Sequence, residues 1–248
     1  MLKNVFIGIK AYFGVFSLIS KLKLWKYFAI PMVISFVTAI SIFAIAYGFS
    51  DNIADYLSSL FPSWNTSLWL KIVLQIIIGL SIIVIGLILY KHIIMALSAP
   101  FMSPVSEKIE THLVGKTHTH RKTSFAEQLW RGIRINVRNL SLELLLTMPI
   151  LLLGFIPIIG VLSTVLLFLV QAYYAGFGNM DYTLERHFKY AESIQFVKKN
   201  RGLAIGNGIV FMLFLLIPVI GVILVLPLSV TAASVKTVEA LQLKNNER

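Results

Sequence analysis

The chain has 248 residues, 57% of them apolar and only 13% charged, with a mean hydropathy of +0.82. A water-soluble domain carries about 25% charged residues, so this composition argues against a soluble domain, a disordered chain, a coiled coil or a nucleic-acid-binding module, and makes lipid part of the solvent. The net charge of +11 fits an excess of Lys and Arg in cytoplasmic loops or the attraction of an anionic substrate, not nucleic acid. The absence of cysteine removes disulfides, thiolate-bound zinc and thiol catalysis.

Residues 1–27 hold Lys3, Lys10, Lys21, Lys23 and Lys26 and no acid. Val5, Phe6, Ile9, Tyr12, Phe13 and Phe16 recur at helical spacing opposite Lys3, Lys10 and Ser17. That pattern predicts a basic amphipathic helix lying in the membrane interface. Residues 28–49 are uncharged and long enough to cross about 30 Å of hydrocarbon. A second uncharged run begins at residue 72 and extends toward Ala99-Pro100, giving a predicted span over 72–101. The loop between the spans holds Asp51, Asp55 and Lys71, whereas residues 103–139 and 177–202 are rich in Lys and Arg. The positive-inside rule places residues 50–71 outside, and the N-terminus and the later loops in the cytoplasm.

Residues 140–176 and 203–235 are long apolar stretches, interrupted by the same words: Ile156-Pro157-Ile158-Ile159-Gly160-Val161 and Ile217-Pro218-Val219-Ile220-Gly221-Val222. A transmembrane hairpin needs about 20 residues per arm, and each arm here has roughly 15 before Pro and Gly break it. Basic loops flank both units. The lengths favour two re-entrant hairpins whose tips reach mid-bilayer, where broken backbone survives only inside protein or beside a wet cavity. The other reading is two tight hairpins crossing a locally thinned bilayer. The fold class is thus an all-α integral membrane protein with two transmembrane helices, two re-entrant hairpins and amphipathic interfacial helices, in a single membrane domain.

Between the spans and the hairpins, residues 124–139 predict an amphipathic helix opened by a Ser124/Glu127 capping box. Arg131, Arg134 and Arg138 stand at i, i+3 and i+7 on one face. They suit either anionic lipid headgroups or an antechamber for an anion. Glu143 lies inside the first apolar arm, where an ionisable residue is a functional candidate, or pairs with Arg138 or Asn139 at the interface. Gly202 and Gly206, followed by Gly208, allow a neighbouring backbone to approach. Each Pro–Gly break starts a new half-helix whose free N–H groups and positive dipole end suit an anion.

Other motifs fail. Gly115-Lys116-Thr117 lacks the first glycine of a phosphate-binding loop, because Glu110 occupies that position. His112, His118 and His120 have no carboxylate or thiol at ligand spacing, so no metal or other cofactor is expected, and no HExxH or GxSxG motif marks an enzyme. Asn65-Thr66-Ser67 is too short a match to carry a glycosylation argument.

Several further pieces resemble the CysZ family of bacterial inner-membrane sulfate permeases, within the etoposide-induced-protein-like superfamily. They are Ala99-Pro100-Phe101 with Glu107-Lys108-Ile109-Glu110, then Gly154-Phe155-Ile156-Pro157, Asp181-Tyr182 with His187, and Asn200-Arg201 with Gly206. The resemblance covers nearly the whole chain. It implies two long transmembrane helices, two partly penetrating helical pairs and homo-oligomeric assembly. It also implies sulfate binding at a Gly-Leu-Arg-Arg stretch before the first span. This chain has Lys23-Leu24-Trp25-Lys26 there, and a lysine at 23 is expected to spoil a glycine-based nest for an anion.

These residues predict a permease or channel for sulfate or a similar small oxyanion in the bacterial inner membrane, multi-pass with a cytoplasmic N-terminus. Lys21, Lys23, Leu24, Trp25 and Lys26, with Arg131, Arg134 and Arg138, are the candidate anion-binding residues. Glu107, Glu110, Glu143, Pro157, Gly160, Pro218 and Gly221 are candidates for a pore or structural network. A lipid-interacting scaffold that does not transport is the rival reading, using the same basic surfaces for headgroups.

Overall fold

The computed structural model describes residues 1–60, 68–115, 123–154, 156–217 and 220–246. Within them the chain forms helices and turns alone: α1 Leu2–Lys10, α2 Val15–Lys21, α3 Trp25–Leu60, α4 Leu68–Val114, α5 Phe125–Gly154, α6 Pro157–Leu184, α7 Tyr190–Lys199, α8 Arg201–Leu215 and α9 Ile220–Asn246. Asn65-Thr66-Ser67, Lys116, Thr117, His118, His120 and Pro218 lie outside the described residues. Five helices are long and apolar enough to cross a membrane: α3, α4, α5, α6 and α9. With the apolar side chains they expose, among them Ile40, Phe43, Ile76, Leu80, Leu152 and Leu162, they make this a multi-pass membrane protein.

The N-terminal segment is two helices instead of one. Gly14 takes a left-handed conformation (φ 86°) that bends α1 away from α2 by 46°. Phe6, Phe13 and Phe16 stay exposed, while Gly8, Val15 and Ile19 are buried. The buried side of α1 lies on α8, and two glycines explain how: Gly206, seen in the sequence, and Gly8, which was not. A β-carbon at Gly8 would stand 2.7 Å from the Leu203 carbonyl oxygen, and one at Gly206 would strike the Val5 carbonyl. On its other side α8 meets α6 just as closely, through Gly208 against Ala172 and Gly176 against Ala204.

Helix α4 runs past the end expected near residue 101, through Pro100 and Pro104, to Val114. At about 1.5 Å per residue its 47 residues exceed the bilayer, so its second half is the stalk on which the other helices dock. The amphipathic segment at 124–139 and the first arm of the first hairpin form one uninterrupted helix, α5. Its predicted capping box is present, with the Ser124 N–H donating to Glu127 Oε2 (2.8 Å) and the Glu127 N–H to Ser124 Oγ (3.3 Å). No glycine or proline separates Asn139 from Leu140, so nothing stops the helix there.

The two repeated words close two similar turns. The N–H of Gly160 bonds the carbonyl of Ile156 (2.7 Å), and that of Gly221 bonds Ile217 (3.0 Å). Each glycine also brings the returning helix onto a carbonyl of the first arm, Gly154 for Gly160 and Phe214 for Gly221. Pro157 opens α6, where its missing N–H costs nothing. A methyl group at Gly221 would overlap the Phe214 carbonyl, whereas at Gly160 it would stand 2.8 Å from the Gly154 carbonyl. Gly221→Ala is therefore expected to cost about 1–3 kcal/mol and Gly160→Ala less. Thermal unfolding of the two purified variants in one detergent checks that order.

Candidate functional site

The basic segment before α3 is built by the end of α2. The Lys23 N–H donates to the Ser20 carbonyl (3.1 Å) and the Leu24 N–H to the Ile19 carbonyl (2.9 Å). This is a Schellman closure, in which the residue after the cap must turn left-handed and the next one packs inward. Lys23 has φ 52° and Leu24 is fully buried. The expectation that a lysine at 23 breaks the glycine geometry therefore fails for the backbone, which adopts the left-handed turn with lysine in place. Helix α3 starts immediately afterwards, so the N–H groups of Trp25 and Lys26 belong to its unbonded first turn. Trp25 is held edge-on to Phe28, with ring centroids 6.1 Å apart.

A residue overlooked in the sequence completes this corner. Lys108, on the α4 stalk, places its ammonium 5.0 Å from the centre of the Tyr27 ring, and Lys26 stands 5.3 Å from the same ring. Beside them opens a cavity of about 480 Å³ lined by Leu22, Pro104, Glu107, Lys108, Thr111 and His112. Lys21 and Lys23, which flank Leu22 in the chain, are exposed. The sequence signal for Lys108 was its place in Glu107-Lys108-Ile109-Glu110, where attention went to the acids.

The three arginines of α5 do not present one free face. Arg131 is clamped: Nε and Nη2 donate to the two Asp181 carboxylate oxygens at 2.9 Å each, Nη2 also reaches Ser193 Oγ (2.6 Å), and Nη1 reaches the Phe188 carbonyl (2.8 Å). Arg138 bonds Asn139 Oδ1 and lies over the Phe177 ring. Arg134 remains exposed, stacked on Tyr190 at 3.9 Å. It borders a cavity of about 190 Å³ shared with Gln128, Glu185 and Lys189.

Behind these surfaces lie two buried ionic clusters. In the first, Glu110 accepts from Arg186 Nη2 (3.0 Å) and meets His187 Nε2 (2.6 Å), while Arg186 Nη1 also donates to Ser106 Oγ (2.7 Å). This cluster ties α4 to the end of α6. In the second, Glu143 does not pair with Arg138 or Asn139. Its Oε1 takes Lys91 Nζ (2.6 Å) and its Oε2 faces His92 Nε2 (3.1 Å), all three side chains being buried. Glu107 belongs to neither cluster and is exposed. Among the described residues no group of His, Cys, Asp and Glu could hold a metal ion.

Asp181, His187, Glu110 and the Pro157 turn, all quoted above for their resemblance, thus act in the frame of the fold. Residues 11–226 match the family described as Sulfate transporter CysZ/Etoposide-induced protein 2.4. The chain belongs to this family. Two proteins named Sulfate transporter CysZ, from Pseudomonas aeruginosa strains LESB58 and PAO1, are each 26% identical to it over 201 residues, which cover 78% of this chain and 80% of theirs. The family is one of transporters and not of enzymes.

At the end of α6, Glu185 is buried with Oε1 unpartnered. Burial pushes its carboxyl from the ordinary 4.5 up to about 7, and Asp181 adds to the shift, against Ser103, Arg186 and Arg131. The folded chain therefore holds a proton that the unfolded chain releases, so stability falls as pH rises from about 4.5 to about 7. Glu185→Gln is expected to flatten this slope and to stabilise the protein at pH 8 by up to about 3 kcal/mol. Unfolding midpoints of wild type and variant from pH 4.5 to 8 test it; parallel curves would refute the assignment.

Proposed function

We propose that this protein is a permease or channel for sulfate or a similar small oxyanion in the bacterial inner membrane, supplying sulfur assimilation. Family membership and the name of the Pseudomonas relatives support transport over a lipid-binding scaffold. The observation that carries the reading is the α2–α3 corner. There, a left-handed Lys23 stands just before the first turn of α3, and the ammoniums of Lys26 and Lys108 both lie over the Tyr27 ring, Lys108 also lining an open cavity. Helix N-termini with flanking cations are natural oxyanion sites. Arg134 offers a second, exposed basic surface, while Arg131 and Arg138 hold the helices that carry it.

The topology that accompanies this reading has α3 and the first half of α4 as full spans, with the α5–α6 and α8–α9 pairs re-entrant from the cytoplasmic side and the N-terminus inside. Helix α8, at 15 residues, reaches only about 22 Å, short of the roughly 30 Å core. The apolar side chains around the first tip, such as Leu152, Val161 and Leu162, face lipid or further copies in a homo-oligomer. A dianion moving inward against the membrane potential faces about 4.6 kcal/mol per 100 mV, from two charges at roughly 2.3 each. Uptake is therefore downhill in concentration, coupled to an ion, or drawn by consumption inside.

In liposomes bearing the purified protein, radiolabelled sulfate uptake should exceed that of empty vesicles and be inhibited by sulfite but not chloride. Replacing both Lys26 and Lys108 with Gln removes two charge-assisted contacts, each worth about 1.5–3 kcal/mol, and should lower uptake at least about ten-fold. Unchanged uptake in that double variant would free the two lysines of any role. For topology, the cysteine-free chain permits a single label. Leu216, at the second tip and 75% exposed, should resist an impermeant external thiol reagent once changed to Cys; ready labelling from outside would mean that α8 and α9 cross completely.

A further inference from the structure

The cavity bordered by Arg134 plays no part in the α2–α3 corner, and its walls carry both signs of charge. It lies where α5 begins and α6 gives way to α7, beyond the apolar arms of the first hairpin. Its volume is about 190 Å³. At roughly 30 Å³ per water this is room for about six waters, below the size of a drug-sized pocket and suited to a molecule of about six to eight non-hydrogen atoms.

Most of the polar groups around it are already engaged. Arg131 spends Nε, Nη1 and Nη2 on Asp181, Phe188 and Ser193. Gln128 donates to Thr123 Oγ1, and Glu127 accepts from the Ser124 N–H. Three groups remain. Arg134 and Lys189 are exposed, and neither cationic head has a hydrogen bond or a carboxylate partner among the described residues. Stacking on Tyr190 covers a face of the Arg134 guanidinium and leaves its in-plane N–H groups free. The third is Glu185, only 2% exposed, whose Oε1 has no partner. Buried polar atoms are nearly always bonded, so this oxygen calls for a donor.

The burial of these groups gives the cavity a direction. A carboxyl stands at its inner end and two free cations stand at its mouth. A simple anion would satisfy Arg134 and Lys189 but bring negative charge to Glu185, and a simple amine would do the reverse. A molecule completes all three only if it carries a cationic donor and an anionic acceptor within the length of the cavity. Trp130, 67% exposed, and Tyr190 add apolar wall for a short side chain.

We propose that this cavity binds a free α-amino acid, its ammonium group bonded to Glu185, its carboxylate to Arg134 and Lys189, and a small side chain against Trp130 and Tyr190. Such a ligand joins the start of α5 to the corner between α6 and α7, the same elements that Arg131 clamps. Binding therefore stabilises the folded chain by mass action. The site does not depend on what the protein transports.

The test uses the intact wild-type protein in detergent, with L-alanine, L-serine and L-cysteine as probes in the millimolar range. At least one should raise the unfolding temperature and give saturable heat by calorimetry. N-acetylation or amidation of that amino acid removes one of its charges and should weaken binding at least about ten-fold. Arg134→Gln, at an exposed position, and Glu185→Gln should each cost a similar factor, while Lys108→Gln at the α2–α3 corner should leave binding unchanged. No saturable binding of any of the three amino acids to the wild type would overturn the proposal, a result that does not require any variant to fold. Equal binding of the N-acetylated form would also overturn it, reducing the cavity to a simple anion site. None of these results bears on sulfate uptake, so this inference and the transport reading fail separately.

Discussion

Everything in this fold depends on how closely α6 and α8 approach. Within a bilayer, helices gain no hydrophobic energy by leaving lipid for one another, so association rests on close packing and on polar contacts between helices. Gly176 and Gly208 let the two backbones touch at Ala204 and Ala172, and on the far side Gly206 receives α1 at Val5. The same surface holds the neutral polar bonds of the interior. Asn179 Nδ2 donates to Asn207 Oδ1 (2.8 Å), Asn207 Nδ2 to the Ser229 carbonyl (3.0 Å), and the Tyr12 hydroxyl bonds Ser229 Oγ (2.6 Å). The amphipathic N-terminus is in this way fastened to the second hairpin, which fixes where α2 ends and hence where the lysine corner stands.

The charged groups divide the work by position. Arg131 with Asp181, and Arg186 with Glu110 and His187, bind α4, α5 and α6 where they converge beyond the uncharged runs. These pairs are buried or nearly so, and breaking one by removing a single partner leaves an uncompensated buried charge. They act as clamps, and a clamped guanidinium has little left to offer a passing ion. The lysines at 23, 26 and 108 are the reverse: exposed, without a carboxylate partner among the described residues, and ordered by the turn and by Tyr27.

Much of this was legible in the sequence because hydrocarbon imposes simple lengths and periods. The apolar runs at 28–49 and 72–90, the capping box at Ser124 and the doubled Pro–Gly word each translate directly into a helix, a helix start and a turn. The continuity of α5 was missed because a change in composition at residue 140 looks like a boundary, although no glycine, proline or competing cap stands there to end the helix. The partners of Glu143 were missed for a different reason. Lys91 and His92 lie about 50 residues away, and α-helical periodicity carries no information about which face of which helix comes opposite. Lys108 was hidden likewise, its role depending on Tyr27 reaching it across the corner. Lys23 shows the limit of reading a motif by residue type: glycine favours a left-handed turn, but the closure of α2 onto Ser20 and Ile19 holds a lysine in it as well.

That substitution bears on what kind of site the corner makes. A guanidinium grips an oxyanion with two parallel bonds, whereas an ammonium is a hydrated point charge on a flexible stem. Conduction needs a site favourable enough to be occupied and weak enough to be vacated. Under the proposed reading, exposed lysines beside the start of α3 would gather a dianion by charge and yield it readily, while Arg131 and Arg186 are held elsewhere by carboxylates. A storage or sensing protein would gain from the tighter fork. Lysines at the open corner, with the bidentate Arg131–Asp181 contact kept for the packing of α5 on α6, are the distribution that would favour turnover of the ion under that reading.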